Sequence, residues 1–434
     1  TTAPARPGDR GCCLQRPARA ARHLPACRAS PRPAPLPAFE WCDGRELKTC
    51  RLPGAEFQDG VDLAIFARLL EDHDVDTGLF GRGEAKKLEQ LAAEVHSGAA
   101  RLMLDAAWHK KLVRVVDVVL LRLHSAGSVE EPLLLVETEE RYPDGRRREL
   151  LRLPGAKREP HESTRQTAER ILGDVLLIPR EWVMLDLDHI DRHEEEFESP
   201  SYPGVRTVYR KEVVDVSLRA PGPGNAGPPG PRGGRALDAQ GNTKSFAWMP
   251  EALAEAKRLK VRAGAAEAVS TLVRAPLGLG EDALRAHLAG LGVDVARFGQ
   301  GGAKTIKELS AELVTGDAAL MQDGSGGITR VVDVVQLLLE DPATGEVLTQ
   351  RGAGKGCSAR LLLQRLPGAK RRPDESHFVS ARRILRRQLG IDENRVRFDT
   401  TVHFTEEGRA SPNYPGLRTV YRMRLVRAEL LPSE

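Results

Sequence analysis

The chain contains two imperfect copies of one long sequence unit. Three blocks recur in the same order: RVVDVV, RLPGAKR, and YPGVRTVYR, which returns as YPGLRTVYR. They begin at Arg114, Arg152 and Tyr202 in the first copy and at Arg330, Arg365 and Tyr414 in the second. A unit of about 150–200 residues buries its own core. The repeat therefore predicts two globular domains rather than a stack of solenoid layers.

A Pro/Gly-rich stretch at 219–243 separates the copies and is predicted to be a flexible linker. The predicted organisation is a basic leader (1–38), a helical lead (39–110), a first domain (111–218), the linker (219–243), a second helical lead (244–326) and a second domain (327–430).

Hydrophobic periodicity predicts the same order of elements in both copies. Helical spacing is found at 61–70 and 83–95, and again at 281–291 and 303–313. An extra helix is predicted from Pro250 to about residue 260. Strands are predicted at 113–123, 132–137, 149–153 and 207–214, with one helix at 163–176. This order predicts an α+β fold, an α/β/α sandwich with a mixed sheet.

The formal charge of +4 is concentrated in the leader, where residues 1–40 hold seven arginines against two acids. The folded body is close to neutral, which argues against general nucleic-acid binding. The leader resembles a chloroplast or mitochondrial transit segment, with a disordered tail or a gene-model artefact as alternatives. No apolar run is long enough to span a bilayer.

Six cysteines are present, without a CxxC pair, and only Cys357 lies in the second copy. A disulfide or zinc site that stabilised the shared fold would recur with the repeat. The pattern therefore predicts an intracellular, reducing compartment.

The segment from Leu153 to Leu177 and its counterpart resemble the Nudix box of the Nudix hydrolases. In that motif a Gly is followed after five residues by Glu, and after seven more by Arg-Glu. Here Ala replaces the Gly. The matching triplets are Ala156, Glu162 and Arg170, and Ala369, Glu375 and Arg383. The resemblance implies a Nudix fold over 110–218 and 327–430, with each Glu–Arg pair pinning the loop to the helix.

The resemblance also implies which catalytic residues have been lost. Family members hydrolyse nucleoside diphosphates linked to another group, and glutamates on the box helix hold Mg²⁺. The Glu expected after the Arg is Ile171 or Ile384, and the later Glu-Glu pair is Asp174-Val175 or Arg387-Gln388. These replacements predict a non-catalytic protein that binds a nucleotide-like or phosphorylated ligand, or that serves as an interaction module for a protein partner. The alternative is a divergent hydrolase, active in the first copy only, with Glu162 and Asp174 recruiting Mg²⁺.

The Tyr-Pro-Gly block is the second candidate site. Alternation along its strand places Arg206 and Arg210 on one face, where they are suited to a phosphate, and Tyr202 is placed to stack on a base. The competing interpretation, which we favour, is that the arginines pair with acids across the sheet and the tyrosines pack. The candidate ligand-binding residues are Lys157, Arg170, Tyr202, Arg206, Arg210, Lys370, Arg383, Tyr414, Arg418 and Arg422.

Further polar residues are given structural interpretations. Asp117 and Asp333 lie inside the apolar RVVDVV strand, where they are predicted to pair with repeated arginines; a catalytic acid is the sharper alternative. Glu194–Glu196 are predicted to be solvated loop charges. The Gly-x-Gly sequences beginning at Gly81 and Gly299 are predicted to be turns between helices, with a phosphate cradle as the weaker interpretation. No histidine site recurs in both copies.

Overall fold

The computed structural model describes the parts of the chain that carry the repeat. They are residues 38–44, 55–56, 63–105, 111–125, 133–219, 235–237, 241–262, 272–273, 279–322, 327–351, 366–372 and 375–432. The predictions for the leader and for most of the linker, and the position of Cys357, lie outside these residues.

Helices and strands follow one order in the two copies. The helices are α1 Leu63–Glu71, α2 Leu88–Ser97, α3 Thr164–Arg170, α4 Glu251–Ala256, α5 Glu281–Gly290, α6 Ile306–Thr315 and α7 His377–Ile384. The strands are β1 Phe39–Asp43, β2 Ala55–Glu56, β3 Arg101–Asp105, β4 Lys111–His124, β5 Leu133–Arg141, β6 Arg147–Arg152, β7 Gly155–Lys157, β8 Val183–Glu198, β9 Arg206–Leu218, β10 Arg235–Leu237, β11 Thr243–Pro250, β12 Leu272–Val273, β13 Ala319–Gln322, β14 Ile328–Asp341, β15 Glu346–Gln350, β16 Gly368–Lys370, β17 Val396–Ala410 and β18 Arg418–Leu430. The predicted α+β class with mixed sheets is confirmed.

The RVVDVV strand lies at the centre of each sheet. β4 pairs in parallel with β9 and antiparallel with β3, β5 and β7. β14 repeats this pattern with β18, β13, β15 and β16. A strand with neighbours on both sides and cover on both faces needs a nearly continuous apolar sequence, which these β-branched runs supply. β8 and β17 form the next antiparallel strands, beside β9 and β18.

Each sheet is covered by the helix of its own copy. Ser163 is the N-cap of α3: its hydroxyl accepts from the backbone N–H of Gln166, and the Gln166 side chain accepts in return from the N–H of Ser163. The helix continues into a π-turn at Ile171–Val175, and α7 does the same at Leu385–Leu389. α3 and its π-turn pack on one hydrophobic cluster, and α7 on a second.

The helices α1 and α2 pack on the first copy and α5 and α6 on the second, but the first strand of each preceding segment joins the sheet of the other copy. β1, before the first copy, pairs with β15 of the second copy, and β11, before the second copy, pairs with β5 of the first. α4 follows β11 directly: Pro250 is its N-cap and the helix ends at Ala256, several residues before the predicted end. The left-handed backbone of Arg258 (φ 63°) redirects the chain beyond it.

Candidate functional site

The Pro-Gly-Ala-Lys turn is held against the central strand in both copies. The backbone N–H of Leu121 donates to the carbonyl of Pro154, and Leu337 donates to Pro367, each at 2.8 Å. A Cβ on Gly155 would lie 2.8 Å from the carbonyl oxygen of Val119. Glycine is therefore required there by the close approach of β4.

The predicted Glu–Arg pairs are present in both copies. Arg170 donates through Nε and Nη2 to the two carboxylate oxygens of Glu162, at 2.6 and 2.8 Å. Arg383 holds Glu375 in the same way, at 3.1 and 2.9 Å. Arg170 also donates to the carbonyl of Lys157 at 2.9 Å, so the pair fixes the turn to the helix. Burial raises the pKa of Glu162, but the hydrogen bonds and charge of Arg170 outweigh it and keep that pKa below 4.5.

The positions at which the Nudix motif carries metal-binding glutamates do not fit Mg²⁺ here. Ile171 and Ile384 are fully buried in the clusters beneath their helices. Asp174 is exposed, and Glu162 is already bound by Arg170. Nowhere in the described ranges do three or more His, Cys, Asp or Glu side chains group as a metal site would require. Of the two carboxylates named in the hydrolase alternative, Glu162 is therefore engaged in an ion pair and Asp174 lies at the surface.

The aspartates of RVVDVV are bound by arginines, as predicted. Asp117 accepts from Arg101 at 2.6 Å and from Arg158 at 3.2 Å. Asp333 accepts from Arg371 at 3.0 Å. Burial raises the pKa of Asp117, but the charges of Arg101 and Arg158 outweigh this effect. The pKa of Asp117 therefore lies below its ordinary value. Because Arg158 and Arg371 end the repeated RLPGAKR block, both copies use the same structural ion pair.

Three of the four predicted arginines on the Tyr-Pro-Gly strands are paired across the sheet. Arg206 pairs with Glu196, and Arg210 donates to Glu194 at 2.8 Å. Arg422 donates to Glu406 at the same distance. The expectation that Glu194–Glu196 form a solvated loop was wrong, because they lie in β8 directly opposite β9. The competing interpretation of this strand is the one that the structure supports.

The tyrosines of this block are interior residues. Tyr202 is 1% exposed and Tyr414 is fully buried. The Tyr202 hydroxyl donates to Glu94 at 2.8 Å, and the guanidinium of Arg114 lies 5.1 Å from its ring centre. Burial raises the pKa of Tyr202, and the Glu94 carboxylate raises it further. Stacking on a base is therefore corrected to packing, because the ring is enclosed by the helical lead.

The two copies contact each other through their box segments. Arg382 on α7 donates to the carbonyls of Pro160, at 2.7 Å, and Glu162. Its Nε lies 2.7 Å from a carboxylate oxygen of Glu393. In return, Gln166 on α3 donates to the carbonyl of Val396 at 3.3 Å. The loop before the first box helix is thus covered by the second copy, and α3 in return contacts the start of β17.

A cavity of about 930 Å³ opens on the first copy, beside the Pro-Gly-Ala-Lys turn. Its apolar wall includes Leu120, Leu153 and Leu259. The aromatic rings of Tyr209 and Phe197 also line it and contact each other edge to face, with ring centroids 5.9 Å apart. Seven cationic side chains line it, against Glu195 and Glu198. The cations are Arg148, Arg152, Lys157, Lys211, Lys244, Arg258 and Lys260.

Not all of these cations are neutralised. Arg152 is held by Glu137 at 2.8 Å, and Lys211 by Glu195. The side chains of Arg148, Lys157 and Arg258 make no ion pair with any residue that the structure describes. Desolvation lowers the pKa of Lys157, and the positive charges of Arg114 and Lys86 lower it further. The cavity is thus a region of uncompensated positive charge that an anion would relieve.

Of the ten predicted ligand-binding residues, only Lys157 lines this cavity. Its counterpart in the second copy, Lys370, instead has its Nζ 3.8 Å from a carboxylate oxygen of Asp317. Arg418 lies against Gly408 on the neighbouring strand and faces a smaller cleft. The cations around Arg258 can be seen in the sequence. They lie beside the first copy because β11, which precedes them in the chain, pairs with β5 of that copy.

No protein-family model and no curated protein matches the chain. Among solved structures, an Ap4A hydrolase from C. elegans is 14% identical over 33% of this chain and 85% of its own, with a TM-score of 0.21. The Nudix hydrolase RenU from M. smegmatis is 15% identical over 36% of this chain and 83% of its own, with a TM-score of 0.22. The C-terminal domain of mouse MUTYH, solved with human PCNA, is 17% identical over 31% of this chain and 72% of its own, with a TM-score of 0.18. At these TM-scores the similarity assigns neither a family nor a function.

In the described part of the chain, no helix combines the length and apolar character needed to cross a membrane.

Proposed function

We propose that this chain is a non-catalytic protein of two Nudix-like units, and that the first unit binds a phosphorylated, nucleotide-like ligand. The observation that carries the proposal is the convergence of Lys157, Arg148 and Arg258 on one cavity without ion pairs among the described residues. Phosphate oxygens accept hydrogen bonds from such cations, and the adjoining aromatic and leucine side chains suit a base or another apolar group.

The box itself supports binding rather than hydrolysis. Its remaining carboxylate, Glu162, serves Arg170, and Arg170 in turn holds the carbonyl of Lys157. The pair therefore positions the turn from which the Lys157 amine reaches the cavity. Ile171 occupies the core where a metal ligand would be needed. We assign no metal-dependent step to this arrangement.

Isothermal titration with ADP, pyrophosphate and adenosine tests the proposal on the full-length protein. We expect ADP and pyrophosphate to bind, adenosine to bind more weakly, and affinity to fall as salt is raised. Lys157→Ala should weaken ADP binding about 10- to 100-fold, as expected for a lost charged hydrogen bond of about 1.5–3 kcal/mol. Lys370→Ala, the same substitution in the second copy, is the matched control and should change it little.

Two results would contradict the proposal. Absence of binding by either phosphate compound would leave a protein-interaction role as the better interpretation. Mg²⁺-dependent release of phosphate from a panel of nucleoside diphosphate derivatives, abolished by Asp174→Asn, would establish the hydrolase alternative instead.

A further inference from the structure

Each half of the chain supplies a strand to the sheet of the other half. The first half is residues 38–219, and the second half is residues 235–432. β1 of the first half adds to β15 of the second, over five paired residues. β11 of the second half adds to β5 of the first. The donated strands carry the same Phe-x-Trp sequence, at Phe39–Trp41 and Phe246–Trp248.

The two donated strands occupy equivalent places. Trp41 lies opposite Leu348, and Trp248 lies opposite Leu135. Both leucines belong to the hydrophobic cluster beneath the box helix of their own copy. The exchange is therefore reciprocal: each acceptor edge receives the same sequence in the same register, but from the other half.

The donated segments are integrated into the cores that receive them. Phe246 is 2% exposed in the first core, and Val261, after α4, is also 2% exposed. Arg122 of the first copy donates to the carbonyl of Val261 at 2.9 Å. At the other exchange, Phe39 packs on the second core, and the N–H of Arg351 donates to the carbonyl of Ala38 at 2.7 Å.

We propose that the two halves of this chain are each other's binding partners, and that strand exchange holds them together without the linker. Removing a donated strand would expose the edge and apolar rim of the sheet that accepts it. Each half therefore needs the other to complete its core. The proposal concerns assembly and does not depend on a ligand in the cavity.

Cysteine cross-linking of a cleavable chain tests the exchange. A protease site is introduced between residues 224 and 230, and five cysteines are changed to serine, leaving Cys42. Val347 lies directly opposite Cys42, and directly opposed residues on antiparallel strands are close enough for a disulfide. The matched control is Leu134→Cys, because Leu134 lies opposite Met249, the residue that corresponds to Cys42.

After mild oxidation and proteolysis, we expect Val347→Cys to keep the two fragments joined on a non-reducing denaturing gel. Leu134→Cys should release them. The chain that carries only the protease site, with its natural cysteines reduced, should still elute after cleavage as one species at the 47.5 kDa of the intact protein. This last measurement does not depend on the folding of a variant.

The opposite cross-linking pattern would overturn the proposal, since a disulfide between Cys42 and residue 134 requires each strand to stay with its own half. Separate elution of the wild-type fragments would also overturn it. A covalent dimer of the uncut Val347→Cys chain would show that the strands are exchanged between molecules instead.

Discussion

The Glu162–Arg170 pair offers a direct test of whether the box is structural. In Glu162→Gln the side chain keeps its shape and one acceptor oxygen but loses its charge. The Glu162 side chain is 9% exposed and its partner is 30% exposed. Three further groups depend on this carboxylate for hydrogen bonds: the Thr167 hydroxyl at 2.9 Å, the N–H of Glu159 at 3.2 Å, and the second N–H donor of Arg170 at 2.8 Å.

The expected loss follows from that geometry. Removing one partner of a buried pair costs about 3–5 kcal/mol. Water reaches part of the Arg170 guanidinium, and the Gln amide still accepts one hydrogen bond, so we expect a loss of about 2 kcal/mol in the free energy of unfolding. Glu375→Gln is the matched variant in the second copy, where the carboxylate is fully buried. Its loss should be at least as large.

Urea unfolding at pH 7 measures both variants, with Asp174→Asn as an exposed control expected to change stability by less than about 0.5 kcal/mol. Arg170 holds the folded-state pKa of Glu162 below 4.5, so the stabilisation is present above that pH and is lost as the pH falls through the folded pKa. The difference between wild type and Glu162→Gln in the free energy of unfolding should therefore shrink as the pH falls below 4.5. Unchanged stability in both Gln variants at pH 7 would refute the structural role of the box pair.

Three further predictions concern the interior. Asp117→Asn should lower the free energy of unfolding by about 3 kcal/mol at pH 7, because Arg101 and Arg158 lose the charge of this carboxylate. The folded-state pKa of Asp117 lies below its ordinary value of 3.8, so the difference from wild type should narrow as the pH falls below 3.8. Urea unfolding at a series of pH values measures this. Ile171→Glu should destabilise by more than about 3 kcal/mol without conferring Mg²⁺ binding, since the new carboxylate would lie in the core; thermal unfolding with and without Mg²⁺ checks this. Arg382→Met should cost about 2 kcal/mol by calorimetry, because two carbonyls of the first copy lose their hydrogen-bond donor and Glu393 loses its ion pair.

Local patterns predicted the elements that carry the box. The β-branched run that became β4 and the spacing that became α3 were both legible, because each depends on residues close together in the chain. The Glu162–Arg170 pair could be predicted for the same reason, since the loop and helix that join them are one continuous segment.

The edges of the sheets could not be predicted in this way. β8 alternates acids with apolar residues, and its run Glu194–Glu196 has the composition of a loop. Its identity as a strand depends on the neighbouring strand β9, whose cations Arg210, Lys211 and Arg206 pair with these three glutamates. The strand with which β11 pairs was still harder to predict, because nothing within the sequence of β11 distinguishes the β5 edge from the equivalent β15 edge.

Comparison of the copies bears on where a ligand can bind. Two ion pairs are kept in both copies and are structural in both: the RVVDVV aspartate with the last arginine of RLPGAKR, and the box glutamate with its arginine. The cavity is instead lined by residues of one copy and one exchanged lead, such as Arg148 and Arg258. Lys157 belongs to both sets. Its carbonyl accepts a hydrogen bond from Arg170, as that of Lys370 does from Arg383, but among the described residues its amine has no ion-pairing acid like the Asp317 that lies beside Lys370. Repetition in this chain therefore marks the fold, and ligand binding should depend on the residues at which the two copies differ.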